Sequence, residues 1–498
     1  MSSAQPLSLV DVLSCPCFLL PDVTQTPMDP SAPNTTPASI LIIGAGVFGL
    51  STALALTKRP EFAATSITVL DRSPEKGVFP ARDASSIDSS RIIRSDYADP
   101  AYAALASEAQ AYWRQTGPDS LGGEGRYTES GFLLAANAEP LTREDGSQTG
   151  MAYAKKSWVN ALALTQKEGR PLSSIRNLGA AKYIGVMSGT GAQFADWGYL
   201  NQGSGWADAE ASMKWFYDRV VATNRITFVN GTAESLETDE ASQKVTGAKL
   251  KDGTTLSADL VIVAAGAWTP TLVDLSSQAV ATGQVLGYLD LTEEEQEKLE
   301  KIPVMLNLST GIFVIPPRNR VLKIARHAYG YLNPKPLSKP PLGTPRPNGA
   351  ESSLKLVSQP YTHLDDAELS IPPEGEKALR EGLRKMVALP ELQDRPFSRT
   401  RLCWYTDTAT GDWIIDYHPY WKGLFVATGG SGHAFKFLPV IGDKIVDTIM
   451  GTCRSGFHEM WKWKTVDDVE KAIVTQDGSR GGGLPGLILE DELKKTHS

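Results

Sequence analysis

Cysteine is scarce in this chain: Cys15, Cys17, Cys403 and Cys453 are the only four in 498 residues. Four are too few for a disulfide scaffold and suit a reducing compartment. Cys15 and Cys17 stand as Cys-Pro-Cys without a second pair, so no zinc site and no other metal centre is expected. Long apolar runs are also missing, and none reaches the roughly 18 residues that a membrane span needs. There is no basic tract, and the net charge is −8, which argues against a nucleic-acid partner. The mildly apolar stretch 10–20 lacks a basic leader and is broken by Pro16, so it does not read as a signal peptide. The chain ends Lys494-Lys-Thr-His-Ser498, which is not the Ser-Lys-Leu type of peroxisomal address. A cytoplasmic protein is expected, with residues 1–38, rich in Ser, Pro and Thr, as an unstructured N-terminal extension. No internal repeat is visible.

What is present is ordinary for a globular protein: 41% hydrophobic and 21% charged residues, in a chain long enough for a large two-lobed enzyme. The most informative stretch is Ser39-Ile-Leu-Ile-Ile-Gly-Ala-Gly-Val-Phe-Gly49. An apolar run that reads as a buried strand enters Gly44, Gly46 and Gly49, and Leu50-Ser-Thr-Ala-Leu-Ala-Leu56 continues as a helix. In a dinucleotide site the first glycine permits the tight turn, the second lets backbone approach a pyrophosphate, and the third lets helix pack on strand. The helix N-terminus favours the phosphates. Residues 66–70 read as the next strand, ending at Asp71, whose carboxylate can accept hydrogen bonds from a ribose.

Further along, 102–116 has helical periodicity and 129–135 reads as a strand. A helix is expected over 207–222 and a strand over 226–229. Runs 244–250 and 254–256 flank Asp252-Gly253 as a hairpin. Residues 259–266 and 424–430 are buried strands running into glycine. Long strand-like runs between 280 and 330, including 311–316 and 320–325, predict an antiparallel sheet. Residues 333–348 are Pro-rich and read as an irregular loop, 374–387 and 438–450 as helices. The fold class is therefore α/β (α+β, two-lobed): a Rossmann-type domain with an inserted antiparallel-sheet substrate domain. The expected nucleotide domain is discontinuous, from 39–100, 205–270 and 400–455. The substrate domain takes 101–204 and 271–399, and 456–498 is a C-terminal tail. A nicotinamide dehydrogenase more often keeps its nucleotide fold contiguous, so this layout favours FAD.

Four constellations carry candidate chemistry. Arg91-Ile-Ile-Arg94 places two arginines three apart, on one face if helical, suited to gripping a carboxylate, or else a surface pair. Cys403, between Leu402 and Trp404-Tyr405, is either a small core residue or a point of attachment for a flavin. Thr428-Gly-Gly-Ser-Gly-His-Ala-Phe-Lys436 is a glycine turn that aims N–H donors at whatever lies before it, or one that simply turns the chain. Lys323, in a β run, reads first as a wet-face residue, and otherwise as a charge buried for oxygen chemistry.

Together these segments resemble the monomeric sarcosine oxidase group of FAD amine oxidases, which includes the fructosyl amino acid oxidases (amadoriases) and the saccharopine and pipecolate oxidases. The motifs that carry the resemblance run in order from residue 39 to the 450s: the glycine motif, R-I-I-R, L-K-x-x-x-H, C-W-Y-T, I-I-D-x-H-P and G-G-S-G-H-x-F-K. The resemblance implies that Cys403 bonds covalently to FAD, that Lys323 activates oxygen, and that His327 is an active-site histidine. It implies that Arg94 and Lys436 hold the substrate carboxylate, that Arg91 sits beside the flavin and that Tyr405 borders the substrate. The expected catalytic set is Lys323, His327, Arg91 and Tyr405. The expected cofactor contacts are Gly44, Gly46, Val47, Phe48, Gly49, Asp71, Arg72, Ser90, Arg91, Val229, Gly266, Trp268, Cys403, Gly430, Gly432 and Lys436.

The implied reaction oxidises a secondary amine C–N bond to an imine and reduces oxygen to hydrogen peroxide, by a monomer acting on a small amino-acid substrate. Relative to amadoriases, two sugar and amino-acid anchors are changed: Tyr417 replaces an arginine, and Ser309 stands in place of a glutamate. With Arg94, Lys436 and Tyr405 these complete the expected substrate contacts. Their change predicts a less polar substrate, such as an N-methyl amino acid, saccharopine or pipecolate, with an imine that an internal nucleophile can trap in a tailoring step. Three alternatives stay open: an amadoriase with relocated anchors, a flavin dehydrogenase using a carrier acceptor, and a non-catalytic flavin-binding protein.

Overall fold

Ser39–Ile43 is a strand in the middle of a sheet because Ile40, Leu41, Ile42 and Ile43 are apolar on both faces, and all four are buried. Burying each such side chain contributes about 1.5–3 kcal/mol over leaving it exposed. The structure, a computed structural model, describes residues 36–495 apart from 74, 76, 180–194, 277, 345–355, 388, 454 and 465–474. Cys15, Cys17 and nearly all of the expected N-terminal extension lie outside the described residues.

Among the described residues, Ser39–Ile43 belongs to a six-stranded sheet ordered Ile414–Tyr417, Leu424–Thr428, Leu260–Val263, Ser39–Ile43, Ser66–Asp71, Ile226–Asn230. All neighbouring pairs are parallel except the edge pair of Ile414–Tyr417 with Leu424–Thr428. Helix Val47–Lys58 follows the first strand and packs against Ile441–Ile449. The contact is close: Gly442 N donates to Ser51 Oγ at 2.8 Å, and a side chain at Gly442 would meet the Ser51 carbonyl at 2.0 Å.

A second, larger sheet runs Leu487–Ile488, Tyr331–Leu332, Ala279–Asp290, Val321–Arg326, Ile312–Arg318, Val304–Asn307, Phe132–Ala136, Trp197–Asn201, Ile175–Gly179. It is mixed rather than purely antiparallel. Val304–Asn307 pairs parallel with Phe132–Ala136, and Tyr331–Leu332 pairs parallel with Leu487–Ile488. Arg399–Thr408 pairs along the whole length of Ala279–Asp290, so Cys403 and Tyr405 belong to this sheet and not to the nucleotide sheet where 400–455 was expected. The segment expected as a C-terminal tail is also integrated. It supplies the strand Leu487–Ile488, helix Leu489–Leu493 and the buried Arg480.

The expected helices form at Pro100–Trp113, Ala209–Ala222 and Pro373–Met386. Asp99 caps the first by accepting from Ala101 N and Tyr102 N, and Asp208 caps the second through Ala211 N. The Pro-rich loop departs from a wholly irregular course where Pro334–Lys335 pairs with Val357–Ser358, and 345–348 of that loop lie outside the described residues. Arg91–Ile93 is a short strand, not a helix, and pairs with Gly205–Ala207. No helix among the described residues is long and apolar enough to cross a membrane.

Candidate active site

A cavity of about 550 Å³ lies between the carboxyl ends of the parallel strands and one face of the larger sheet. The crevice at strand carboxyl ends is where open α/β sheets bind ligands. The opposite wall follows strand alternation: Lys323 and Ala325 from one strand, with His327 just past its end, and Cys403 and Tyr405 from another face the same way.

On the nucleotide side, Gly44 has φ +110°, and a Cβ there would lie 2.4 Å from the Ala264 carbonyl oxygen. Gly49 is needed for packing, since its Cβ would meet the Gly44 carbonyl at 1.8 Å. A Cβ on Gly46 meets nothing within 4 Å, because Gly46 faces the open cavity. Gly46 also caps helix Val47–Lys58 without any side-chain hydrogen bond, and the first turn carries no acidic residue. The helix therefore presents unsatisfied N–H donors to the cavity, a fit for phosphate. The Asp71 carboxylate is fixed by Ala45 N at 3.0 Å and Arg72 N at 2.7 Å, and burial raises its pKa. The Arg72 guanidinium lies 3.9 Å from the Trp268 ring centre and pairs with Asp83. Val47, Phe48, Asp71, Arg72, Gly266 and Trp268 all line the cavity. Shape and donor set thus fit a dinucleotide.

Lys323 is buried rather than on a wet face, only 2% exposed. Its Nζ donates to Asp88 Oδ2 at 2.6 Å and to the Ser90 carbonyl at 2.8 Å. Asp88 is equally buried, pairs with Arg91 and accepts from the Tyr288 hydroxyl at 2.7 Å. Burial works against the Asp88 charge, yet Lys323, Arg91 and Arg401 hold its pKa well below the usual carboxylate range. Burial pushes Lys323 down to about 8, against the pull of Asp88. Arg91 Nη2 lies 3.6 Å from Cys403 Sγ, so the thiol sits beside a fixed positive charge.

Deeper in, three cations converge. Arg94 is buried, stacks 4.6 Å from the Tyr97 ring centre, and its Nη1 has no hydrogen-bond partner. Lys436 Nζ donates to the Tyr97 hydroxyl at 2.9 Å and to the His433 carbonyl at 2.7 Å, and burial with Arg94 nearby depresses its pKa strongly. It lies in the turn Phe435–Phe437, before the helix rather than inside it. Arg480 donates to Asp407 Oδ1 at 2.6 Å and the Ser431 carbonyl at 2.8 Å, and its Nη1 lies against the His327 ring, in contact with both Nε2 and Nδ1. Burial, then Arg480 and Arg94, hold the His327 pKa well below its ordinary value, so the imidazole is neutral. Tyr405 lies 5.8 Å from His327 ring to ring, and burial keeps its phenol un-ionised. Gly430 and Gly432 border the cavity, and a Cβ on Gly432 would lie 2.4 Å from the Tyr405 ring.

Several expected residues stand elsewhere. Tyr417 pairs with Phe425, whereas Ile414 of the same strand pairs with Thr428 at the cavity. Three residues at ~3.3 Å each put Tyr417 roughly 10 Å back along the strand. There its hydroxyl donates to the Ile449 carbonyl at 3.0 Å and its ring packs on Phe425, so it is a core residue. Ser309 is tied to Glu139 at 2.8 Å and to Asn137 N at 2.9 Å, outside the cavity wall. Val229 packs against the core, and Gly231 to Glu234 form the wall at that strand end. Ser90 enters only through its carbonyl, which accepts from Lys323 and from Arg91, and Gly49 only through packing.

Two residues escaped the sequence reading. Asp88 carried no signal beyond lying three residues before Arg91. Arg480 lies in the glycine-rich run Gly478-Ser-Arg-Gly-Gly-Gly483, whose backbone reaches the site because a side chain at Gly481 would collide with the Leu308 carbonyl at 2.0 Å.

Residues 39–448 match the family described as FAD dependent oxidoreductase. The chain is 33% identical over 455 residues to the amino acid oxidase imqH of Aspergillus flavus, covering 83% of this chain and 93% of that one. It is 28% identical over 440 residues to the L-saccharopine oxidase of Schizosaccharomyces pombe, covering 86% and 94%. Its fold matches the crystal structure of the deglycating fructosamine oxidase amadoriase II from Aspergillus fumigatus with TM-score 0.70 and 27% identity, over 91% of this chain and 96% of that one. With the glycine motif, the strand-end crevice and the open Gly46 face, these likenesses show that the chain belongs to the DAO family of FAD-dependent oxidoreductases.

Proposed function

We propose that this chain is an amino acid oxidase that converts the secondary amine C–N bond of an N-substituted amino acid to an imine. The carrying observation is Arg94: a buried guanidinium with a free nitrogen at the wall of the cavity that also holds Lys323, Cys403 and the glycine motif. Leaving such a donor unpaired is costly unless a substrate carboxylate completes it. The relatives named amino acid oxidase and saccharopine oxidase support an amine of this kind.

FAD, which the glycine motif and the wall carrying Cys403 would hold, would supply the two-electron acceptor. The chain's own residues do the rest. Arg94 and Lys436 bind and orient the carboxylate. Neutral His327, whose acceptor nitrogen is taken by Arg480, offers its ring N–H as a donor at a fixed position, and the Tyr405 phenol stays protonated. Lys323 holds positive charge at the wall, where charge develops on oxygen as it is reduced. The balance is one CH–NH unit and one O2 giving one C=N unit and one H2O2. Cys403, beside Arg91, is the proposed point of covalent flavin attachment.

A second reading, a fructosyl amino acid oxidase, is favoured by the structural likeness to amadoriase II. The substitutions at Tyr417 and Ser309 do not weigh against it, since neither lines the cavity. The deciding experiment screens N-methyl aromatic amino acids, saccharopine, pipecolate and a fructosyl amino acid for peroxide. Peroxide from one of the first three and none from the last supports the proposal, and the reverse replaces it with the second reading. Acid denaturation tests attachment: yellow colour stays with the parent precipitate and leaves Cys403→Ala. Colour that leaves both proteins removes Cys403 from this role.

A further inference from the structure

Beside the main cavity lies a second chamber of about 360 Å³, and Arg94, His327 and His433 line both. A water takes a share of ~30 Å³, so the chamber has room for a side chain of several heavy atoms. Its walls are unlike the apolar floor under Cys403. Asp477 is partly buried, and its Oδ1 accepts from Ser479 N at 2.8 Å and Ser479 Oγ at 2.5 Å. No ion pair reaches Asp477 among the described residues. Asp412 lies on the same wall, bonded to the Tyr102 hydroxyl. At the rim, Lys156 is occupied by Gln148 at 2.7 Å, and Asp99 by its helix cap.

The chamber also contains a group that points to a ligand. Arg94 is 6% exposed, its Nη1 is unpartnered, and it stands at the junction of the two spaces. A substrate carboxylate on Arg94 puts the amine toward the main cavity and the side chain toward Asp477. We infer that the second chamber receives the substrate's side chain and selects one ending in a hydrogen-bond donor, bound by Asp477. This rests on the proposed amino-acid function.

The chemistry is one-sided. A carboxylate or carboxyl oxygen on the wall of a confined space is completed by a hydroxyl or ammonium and left wanting by a hydrocarbon. An anionic side chain is rejected, because it would face Asp477 and Asp412 together. Burial raises the pKa of both acids, against the pull of Arg480 and Arg94 on Asp477 and of Lys464 on Asp412.

The experiment is an anaerobic titration of the holoenzyme that reads flavin absorbance, with calorimetry as a second measure of Kd. The probes are Nα-methyl derivatives of phenylalanine, tyrosine, norleucine and lysine. The expected result is that tyrosine over phenylalanine, lysine over norleucine, or both, binds at least about tenfold tighter. Asp477→Asn keeps an acceptor and loses the charge, so it abolishes an ammonium preference and retains a hydroxyl preference. Asp477→Leu abolishes either. Equal binding within both pairs overturns the inference and leaves the amino-acid function standing. So does a preference that survives Asp477→Leu. Binding by none of the four probes defeats the underlying function and the inference with it.

Discussion

Lys323 Nζ and Asp88 Oδ2 form a 2.6 Å ion pair in which neither side chain is more than 2% exposed. Burial lowers the lysine's folded pKa to about 8, beneath its ordinary value. The folded protein therefore binds fewer protons than the unfolded chain between about pH 8 and that ordinary value. This group costs stability in full below pH 8, and the cost is relieved as pH rises from there. Its charge follows the opposite course and is lost above about pH 8. Flavin reoxidation by oxygen is expected to slow as pH rises through 8, with no such limb in Lys323→Met. That variant should slow reoxidation far more than flavin reduction in stopped-flow measurements. Asp88→Asn removes the partner that sustains the charge and should move the limb to lower pH. Equal losses in both half-reactions of Lys323→Met would count against an oxygen role and favour a carrier acceptor.

Arg480 acts on His327 from the far end of the chain. A guanidinium only donates, so the ring nitrogen it meets must be an acceptor. Arg480→Met removes a positive neighbour, and the His327 pKa should rise toward its ordinary value, partially, because Arg94, His433 and Lys436 still hold it down. The protonated form grows as pH falls, so kcat/KM of the variant should drop on the acid side of about pH 6.5 where the parent's does not. Arg480→Lys keeps the charge and should stay close to the parent profile. A variant profile that merely scales down at every pH would assign Arg480 a structural role.

The nucleotide half was legible because its strands are buried on both faces and end in glycine, which makes 39–49, 259–266 and 424–430 readable as apolar runs. Burial of Lys323 was not legible: its counter-ion lies 235 residues away, and a lone lysine in a strand ordinarily faces water. The spacing of Arg91 and Arg94 fits one face of a helix, but on and just beyond the short strand Arg91–Ile93 it sends them apart. Arg91 accordingly reaches Asp88 and Cys403, while Arg94 stacks on Tyr97. Tyr417 was misplaced because a motif gives order along the chain and not depth along a strand. Arg480 sits among glycines with no periodicity to read.

Gly46 and Gly49 separate cofactor binding from folding within one motif. A Cβ at Gly46 enters empty space at the cavity, so Gly46→Val should keep the fold of the apoprotein, with little change in Tm, and lose most flavin on purification. A Cβ at Gly49 would overlap the Gly44 carbonyl at 1.8 Å, so Gly49→Ala should unfold earlier with or without flavin. Circular dichroism melts alongside flavin-to-protein absorbance ratios read both. Full flavin loading in Gly46→Val would remove the phosphate role from that turn.

Arg94 is the residue on which the substrate reading turns, and its surroundings say how it should fail. Tyr97 and Phe132 pack on its guanidinium, and Tyr153 and Asp96 interact with it, so its position is held before any ligand arrives. Its contribution should therefore appear as binding rather than as rearrangement. Hydrogen bonds to charged groups are worth ~1.5–3 kcal/mol, so Arg94→Met should raise Kd for an amino-acid substrate about 10- to 100-fold. The limiting rate of flavin reduction should change less, because the carboxylate is bound in ground and transition states alike. Arg94→Lys keeps the charge without the planar fork and should fall between the two. The corresponding amine without a carboxylate should bind parent and variant equally. If Arg94→Met weakened that amine as much as the acid, the arginine would be shaping the pocket rather than reading the carboxylate.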